Sequence, residues 1–180
     1  AGRDFMTMVR EEIFDPLGMT GSSFRIEADG LEDLLAAGYV NRRDGAIDAE
    51  QPAREHAGRG YKVPNGGVYS TVADLARFAG ALSGVPGLQI LSEESRREML
   101  AIQTPETPDQ GYGLGLSLRR NETGAWMAGH GGSVAGYTAN FQFDPDAGRA
   151  VILLRNYQSG QTNLGGAAAW LISGLREAGL

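Results

Sequence analysis

Cysteine is absent from this 180-residue chain and lysine nearly so: of its 16 basic residues only Lys62 is a lysine. Without cysteine there is no disulfide scaffold, no thiolate metal site and no thiol redox centre. Two histidines, His56 and His130, are too few for a histidine-rich metal site, and no metal or other cofactor is expected. Acidic residues outnumber basic ones, 22 to 16, and no basic stripe is present, which argues against a nucleic-acid surface. No apolar run is long enough to span a membrane. What the chain does have is 42% hydrophobic residues and 27 glycines, enough for one sizeable core with many tight backbone positions. It opens Ala1-Gly2-Arg3 and not on methionine, so the native start is expected upstream and the compartment is unreadable.

Along the chain, Phe5, Met8, Val9 and Ile13 predict a helix over residues 4–14, stopped by Asp15-Pro16-Leu17-Gly18. Residues 19–66 read as loop, interrupted by a short helical piece from Leu31 to Ala37. Thr71 followed by Asp74 looks like a capping box ahead of a helix whose face is Leu75, Phe78, Ala79 and Leu82. A third helix starts at Ser92 and presents Met99, Leu100 and Ile102. From Gly111 the apolar period drops to two. Tyr112, Leu114, Leu116 and Leu118 predict one strand, Ala125 to Gly129 a second, and Tyr137 to Phe143 a third. After a turn at Asp144 to Gly148, Ala150 to Leu154 predicts a strand covered on both faces. The expectation is an α+β fold: a helix-and-loop region over residues 1–108, then an antiparallel meander of about four strands over 109–180, covered by a helix over 167–175.

The chemistry concentrates in Met127 to Tyr137, where His130 sits among Gly129, Gly131, Gly132 and Gly136. Bare backbone N–H groups beside a proton carrier suit an oxyanion site, and the bland alternative is a tight connection between strands. Gly131-Gly132-Ser133-Val134-Ala135 falls one residue short of a G-x-S-x-G elbow, which in any case needs a strand-to-helix turn and not two antiparallel strands. Gly66-Gly67 ahead of the Thr71 helix could receive an anion or be a plain turn. Tyr39-Val40-Asn41 has the form Tyr-x-Asn but reads as surface loop, and His56 as a solvated loop residue.

Taken in order, Ile13 to Met19, Ala37-Gly38-Tyr39, Gly66 to Asp74, Tyr112 to Gly115, His130-Gly131-Gly132 and Asp144-Pro145 resemble the C-terminal part of the serine β-lactamase-like, penicillin-binding family. That group includes class C β-lactamases, DD-peptidases, D-aminopeptidases and esterases. The resemblance implies acyl-enzyme chemistry on amide or ester bonds, with a serine and lysine of a Ser-x-x-Lys pair and the tyrosine of a Tyr-x-Asn motif. It further implies that His130 contacts the substrate carboxylate or shares in proton transfer. By the same resemblance the Ser133 N–H is one oxyanion donor, and Gly131, Gly132, Gly66, Gly67 and Tyr69 border the substrate.

The sequence departs from that pattern at two points. Three residues before Lys62 stands Arg59, so the chain has no Ser-x-x-Lys. In the family Tyr-x-Asn precedes the "PLGM" helix, whereas Tyr39-Val40-Asn41 follows it and is not carried over as catalytic. Both elements are expected upstream of Ala1, which makes this the receiving portion of a serine hydrolase, inactive alone. Its expected partners are a small-molecule or peptide substrate, and the missing N-terminal segment or another copy of the chain. The alternatives are a non-catalytic binding module that kept the cleft, and a self-contained esterase built on Ser133 and His130.

Overall fold

The computed structural model describes residues 2–57 and 63–179; Arg59 and Lys62 lie outside them. Helix α1 (Phe5–Val9) is capped by Asp4, whose carboxylate accepts the Thr7 N–H. It continues through a π-helical turn, Arg10–Phe14, into α2, Asp15–Leu17. The helix therefore runs through Asp15-Pro16-Leu17 and stops at the last residue of the expected Asp15-to-Gly18 stop. In the widened turn the Asp15 N–H reaches back to the Arg10 carbonyl. Pro16 then falls in the first turn of α2, where a missing N–H costs little. The helix ends at Gly18, at φ 62°. Gly18 N–H bonds Asp15 O and Met19 N–H bonds Phe14 O, a Schellman closure. Phe14, Leu17 and Met19 are buried together with Phe24 and Ala81.

The segment expected to be loop is more ordered than its composition suggests. The helical piece is only a 3-10 turn, Glu32–Leu34. It is followed by a hairpin of β1 (Val40–Asn41) and β2 (Ile47–Asp48) and by helix α3, Glu50–Ala57. Asp48 Oδ1 accepts the N–H groups of Glu50 and Gln51 at 2.8 and 3.1 Å, which starts α3 despite its polar sequence.

Helix α4 (Val72–Ser83) begins where Thr71 predicts, with Thr71 Oγ1 accepting the Asp74 N–H at 3.1 Å; such a cap contributes ~1 kcal/mol. Asp74 does not close the reciprocal half of the box. It is buried and accepts instead from the Gly21 N–H at 2.9 Å and the Ser22 hydroxyl at 2.7 Å. Ala79 and Leu82 join Leu116, Leu118, Ala128 and Phe143 in the main core. Helix α5 (Glu93–Met99) is capped by Ser92; Ile102 lies beyond it yet packs on that core with Met99 and Leu100.

The sheet has six antiparallel strands in sequential order: β3 (Thr104–Thr107), β4 (Gln110–Tyr112), β5 (Ser117–Arg120), β6 (Trp126–Val134), β7 (Tyr137–Asp144) and β8 (Arg149–Arg155). The expected meander is present, but two of its strands were hidden. The single strand read from Tyr112 to Leu118 is a hairpin, β4 against β5. Gly113 N–H bonds Leu116 O across the turn, and Leu114, on the apolar alternation, projects into solvent. The other hidden strand, β3, pairs irregularly with β4 and is exposed throughout, so it carries no apolar pattern. Strand β6 also runs five residues past the expected Gly129, and the turn proper is Ala135-Gly136.

Helix α6 (Leu164–Glu177), capped by Asn163, packs on the far face through Ala168 and Ile172 against Met127 and Val151. Along β8, Val151 and Leu153 turn to α6 while Ala150 turns to the α4 core. Leu154 is open at the cleft wall, so that strand is not covered along its whole length. Among the described residues no helix is long and apolar enough to cross a membrane.

Candidate active-site cleft

A cleft of about 810 Å³ lies between the β6–β7 face and the segment leading into α4. One wall is the strand pair. Because cross-strand partners share a face, His130 lies beside Phe141, Gly132 beside Ala139 and Val134 beside Tyr137. The other wall brings Gly66, Gly67, Tyr69, Ser70 and Thr71 from the start of α4, with Leu31, Leu34 and Leu35 nearby. The site residues expected from sequence, His130, Gly131, Gly132, Ser133, Gly66, Gly67 and Tyr69, thus line one cavity.

His130 is exposed and sits in the middle of β6. Its Nδ1 is 2.8 Å from the Gly131 carbonyl, and its ring meets Tyr112 edge-on at 6.0 Å. It also borders a smaller hollow of about 330 Å³. The strand pairing explains why this stretch is accessible. The β5–β6 register ends at Ser117↔Gly129, so residues 130–134 have no strand partner on that side among the described residues.

The glycines serve different ends. A side chain at Gly129 would strike the Phe141 carbonyl, and one at Gly131 would lie 2.9 Å from Asn140 Nδ2. At Gly132 nothing lies within 4 Å, so that position is simply open to the cleft. Gly67 is buried, its N–H is taken by the Val63 carbonyl at 3.0 Å, and a side chain there would strike the same carbonyl. It shapes a turn and has no free donor for an anion.

Ser133 and His130 do not form a dyad. They lie on opposite faces of β6, since an offset of three changes sides in a strand. Ser133 Oγ donates to the Tyr137 carbonyl at 3.4 Å, and His130 turns to Gly131.

His56, read as a solvated loop residue, is instead half-buried on α3 and faces the cleft. Its Nε2 is 2.8 Å from the Ala135 carbonyl, and its ring lies 5.5 Å from Tyr137 and 6.1 Å from Tyr69. Nothing local in the sequence signals this, because the contact spans 79 residues. Tyr137 donates its hydroxyl to the Ala36 carbonyl at 2.7 Å. Burial raises its pKa above the usual 10.0, with the neighbouring Tyr69 adding to the effect.

Tyr39-Val40-Asn41 is pinned away from the cleft and is not free loop. Val40 is buried, Tyr39 N–H bonds the Asn156 carbonyl, and Tyr157 donates to Asn41 Oδ1 at 2.6 Å. Among the described residues no group of three or more His, Asp or Glu is placed to hold a metal.

A family model described as beta-lactamase matches residues 1–173. The chain belongs to the beta-lactamase family. It is 29% identical over 161 residues to a human protein called putative beta-lactamase-like 1, covering 84% of this chain and 29% of that one. Among solved structures it is similar to a penicillin-binding protein homologue from Pyrococcus abyssi, described as octameric. The TM-score is 0.79 at 25% identity, covering 98% of this chain and 38% of the other. It is also similar to D-amino acid amidase from Ochrobactrum anthropi, at TM-score 0.72 and 22% identity, covering 99% and 53%. The chain therefore spans less than a third of the curated relative and about half or less of these structures. The α+β fold with its antiparallel sheet and C-terminal helix is that of β-lactamase-related hydrolases and penicillin-binding proteins.

Proposed function

We propose that this chain is the receiving portion of a serine hydrolase that cleaves amide or ester bonds through an acyl-enzyme. The observation that carries the reading is the open edge of β6 beside His130, bordering a largely apolar cleft in a chain with no Ser-x-x-Lys. The two-residue turn at Ala135-Gly136 makes Val134 and Tyr137 the closing hydrogen-bonded pair. By alternation, Gly131 and Ser133 then direct their N–H and C=O groups to the opposite, open edge. This arrangement supports the Ser133 N–H as one oxyanion donor, the second coming with the nucleophile. His130 contacts the substrate carboxylate or shares in proton transfer, and Gly66, Gly67 and Tyr69 line the substrate.

The Ser-Lys pair and the catalytic tyrosine come from outside residues 1–180, and the chain alone does not acylate. Incubation with a fluorescent penicillin or an activated ester, followed by mass spectrometry, tests this. The expected result is no labelled serine in the chain, and labelling in its absent counterpart when the two are combined. Covalent modification of any serine within residues 1–180 overturns the proposal.

The same reading includes association with that counterpart or with a second copy. The outer edge of β8 has no strand partner among the described residues, and Trp170 on α6 is 75% exposed. Edges and apolar patches of this kind seek cover. Sedimentation velocity is expected to show mass above one chain at high concentration, and a compact monomer there contradicts the association.

A further inference from the structure

A chain of hydrogen bonds runs from the interior of the protein to the cleft. Asp74 and Ser22 are both buried, at 4% and 3% exposure. Ser22 Oγ donates to Asp74 Oδ2 at 2.7 Å, and Ser70 Oγ, on the cleft wall, lies 2.8 Å from Ser22 Oγ. The direction of this chain follows from proton counting. A carboxylate only accepts, and a serine hydroxyl has one proton to donate. Ser22 gives its proton to Asp74, so between the two serines Ser70 must be the donor. Its proton therefore points inward, and only oxygen lone pairs face the cleft.

Ser70 is also held in place from both sides. Tyr69 and Ser23 exchange backbone hydrogen bonds at 2.8 and 3.0 Å, and Thr71 caps α4. Neither the family's acylation chemistry nor the roles given to His130 and Ser133 use this residue.

We propose that Ser70 is a specificity-determining acceptor that receives an N–H group of the substrate, and that Ser22 and Asp74 are positioning residues which fix its polarity. The inference rests on the cleft being the substrate site. It narrows the substrate class to acyl compounds that present an N–H donor to the wall of the cleft that leads into α4. A substrate with an ether or ester oxygen at that point would set lone pair against lone pair, and a fixed acceptor rejects such an analogue.

Two probes separate these cases: N-acetylphenylalanine methyl ester, and O-acetylphenyllactic acid methyl ester, in which oxygen replaces the N–H. Their scissile esters are identical. Binding to the full chain, read by NMR shift titration, is expected to favour the N-acetyl probe about ten-fold, the scale of one hydrogen bond. Ser70→Ala brings that ratio to about one, and Ser22→Ala narrows it with Ser70 still present. A wild-type ratio near one, binding of neither probe, or a ratio unchanged in either variant overturns the proposal. If Ser70→Ala does not fold, Ser70→Cys, whose thiol is a weak acceptor, is read in its place, and an unchanged ratio there overturns the proposal as well. Because binding needs no acylation, a preserved ratio without hydrolysis by the combined protein would count against the hydrolase reading and leave the Ser70 assignment standing.

Discussion

Tyr137 shows how one side chain couples the cleft to the stability of the fold. Its hydroxyl is committed to the Ala36 carbonyl, and burial favours the protonated phenol, so its folded pKa stands above the 10.0 of the free group. The contribution is complete below pH 10 and is lost as pH climbs through the raised folded value. Urea unfolding between pH 8 and 11.5 is therefore expected to show a falling midpoint on the alkaline side. Tyr137→Phe should be less stable at pH 8 by ~1 kcal/mol, one net hydrogen bond, with a flatter alkaline decline. A decline as steep in the variant as in the wild type would place its cause elsewhere. Other partnerships at this scale were invisible in the sequence for a common reason. Asp74 looks like half of a local capping box, but its carboxylate serves Gly21 and Ser22, 53 and 52 residues away. His56 has polar neighbours in the chain and aromatic ones in space.

At the scale of elements, helices α4 and α6 and the meander were readable because apolar periodicity and caps agree there. Helix α3 was not: apart from Pro52 and alanines its residues are polar or charged, so no apolar stripe exists to detect. The β4–β5 hairpin was misread for the opposite reason. Its alternation is regular, but Gly115 at φ 79° and the close approach of Gly113 to Met99 turn the chain back. The His130-Gly131-Gly132 stretch suggested a cleft wall by composition, whereas the open edge that makes it accessible depends on where β5 stops. The turn closing β6 and β7 gives a direct test. Gly136 has φ 81°, and a side chain there would lie 2.8 Å from Pro52 Cβ and 2.9 Å from the Gly38 backbone. Gly136→Ala combines left-handed strain with overpacking and is expected to cost about 2–4 kcal/mol, read from thermal or urea unfolding. A loss below about 0.5 kcal/mol, the range of ordinary surface changes, would mean that α3 does not clamp this turn.

On the scale of the whole molecule, α6 and the sheet are joined by an ionic contact as well as by packing. Asp144, 1% exposed, uses Oδ1 to accept the N–H groups of Asp146 and Ala147 in the β7–β8 turn. Its Oδ2 lies 3.5 Å from Arg176 Nε in the last turn of α6. Arg176→Ala leaves a buried carboxylate without its cation, and the expected loss is about 2–3 kcal/mol, with Arg176→Lys recovering part of it in the same unfolding assay. Equal stability of the alanine variant and wild type would show that the two turn N–H groups suffice. The position of Arg176 has a further consequence for handling this protein. A cut after Leu175 removes the counter-ion of the β7–β8 turn. Such a cut would loosen the β7–β8 corner and leave the contacts of Ala168, Ile172 and Leu175 with the sheet in place.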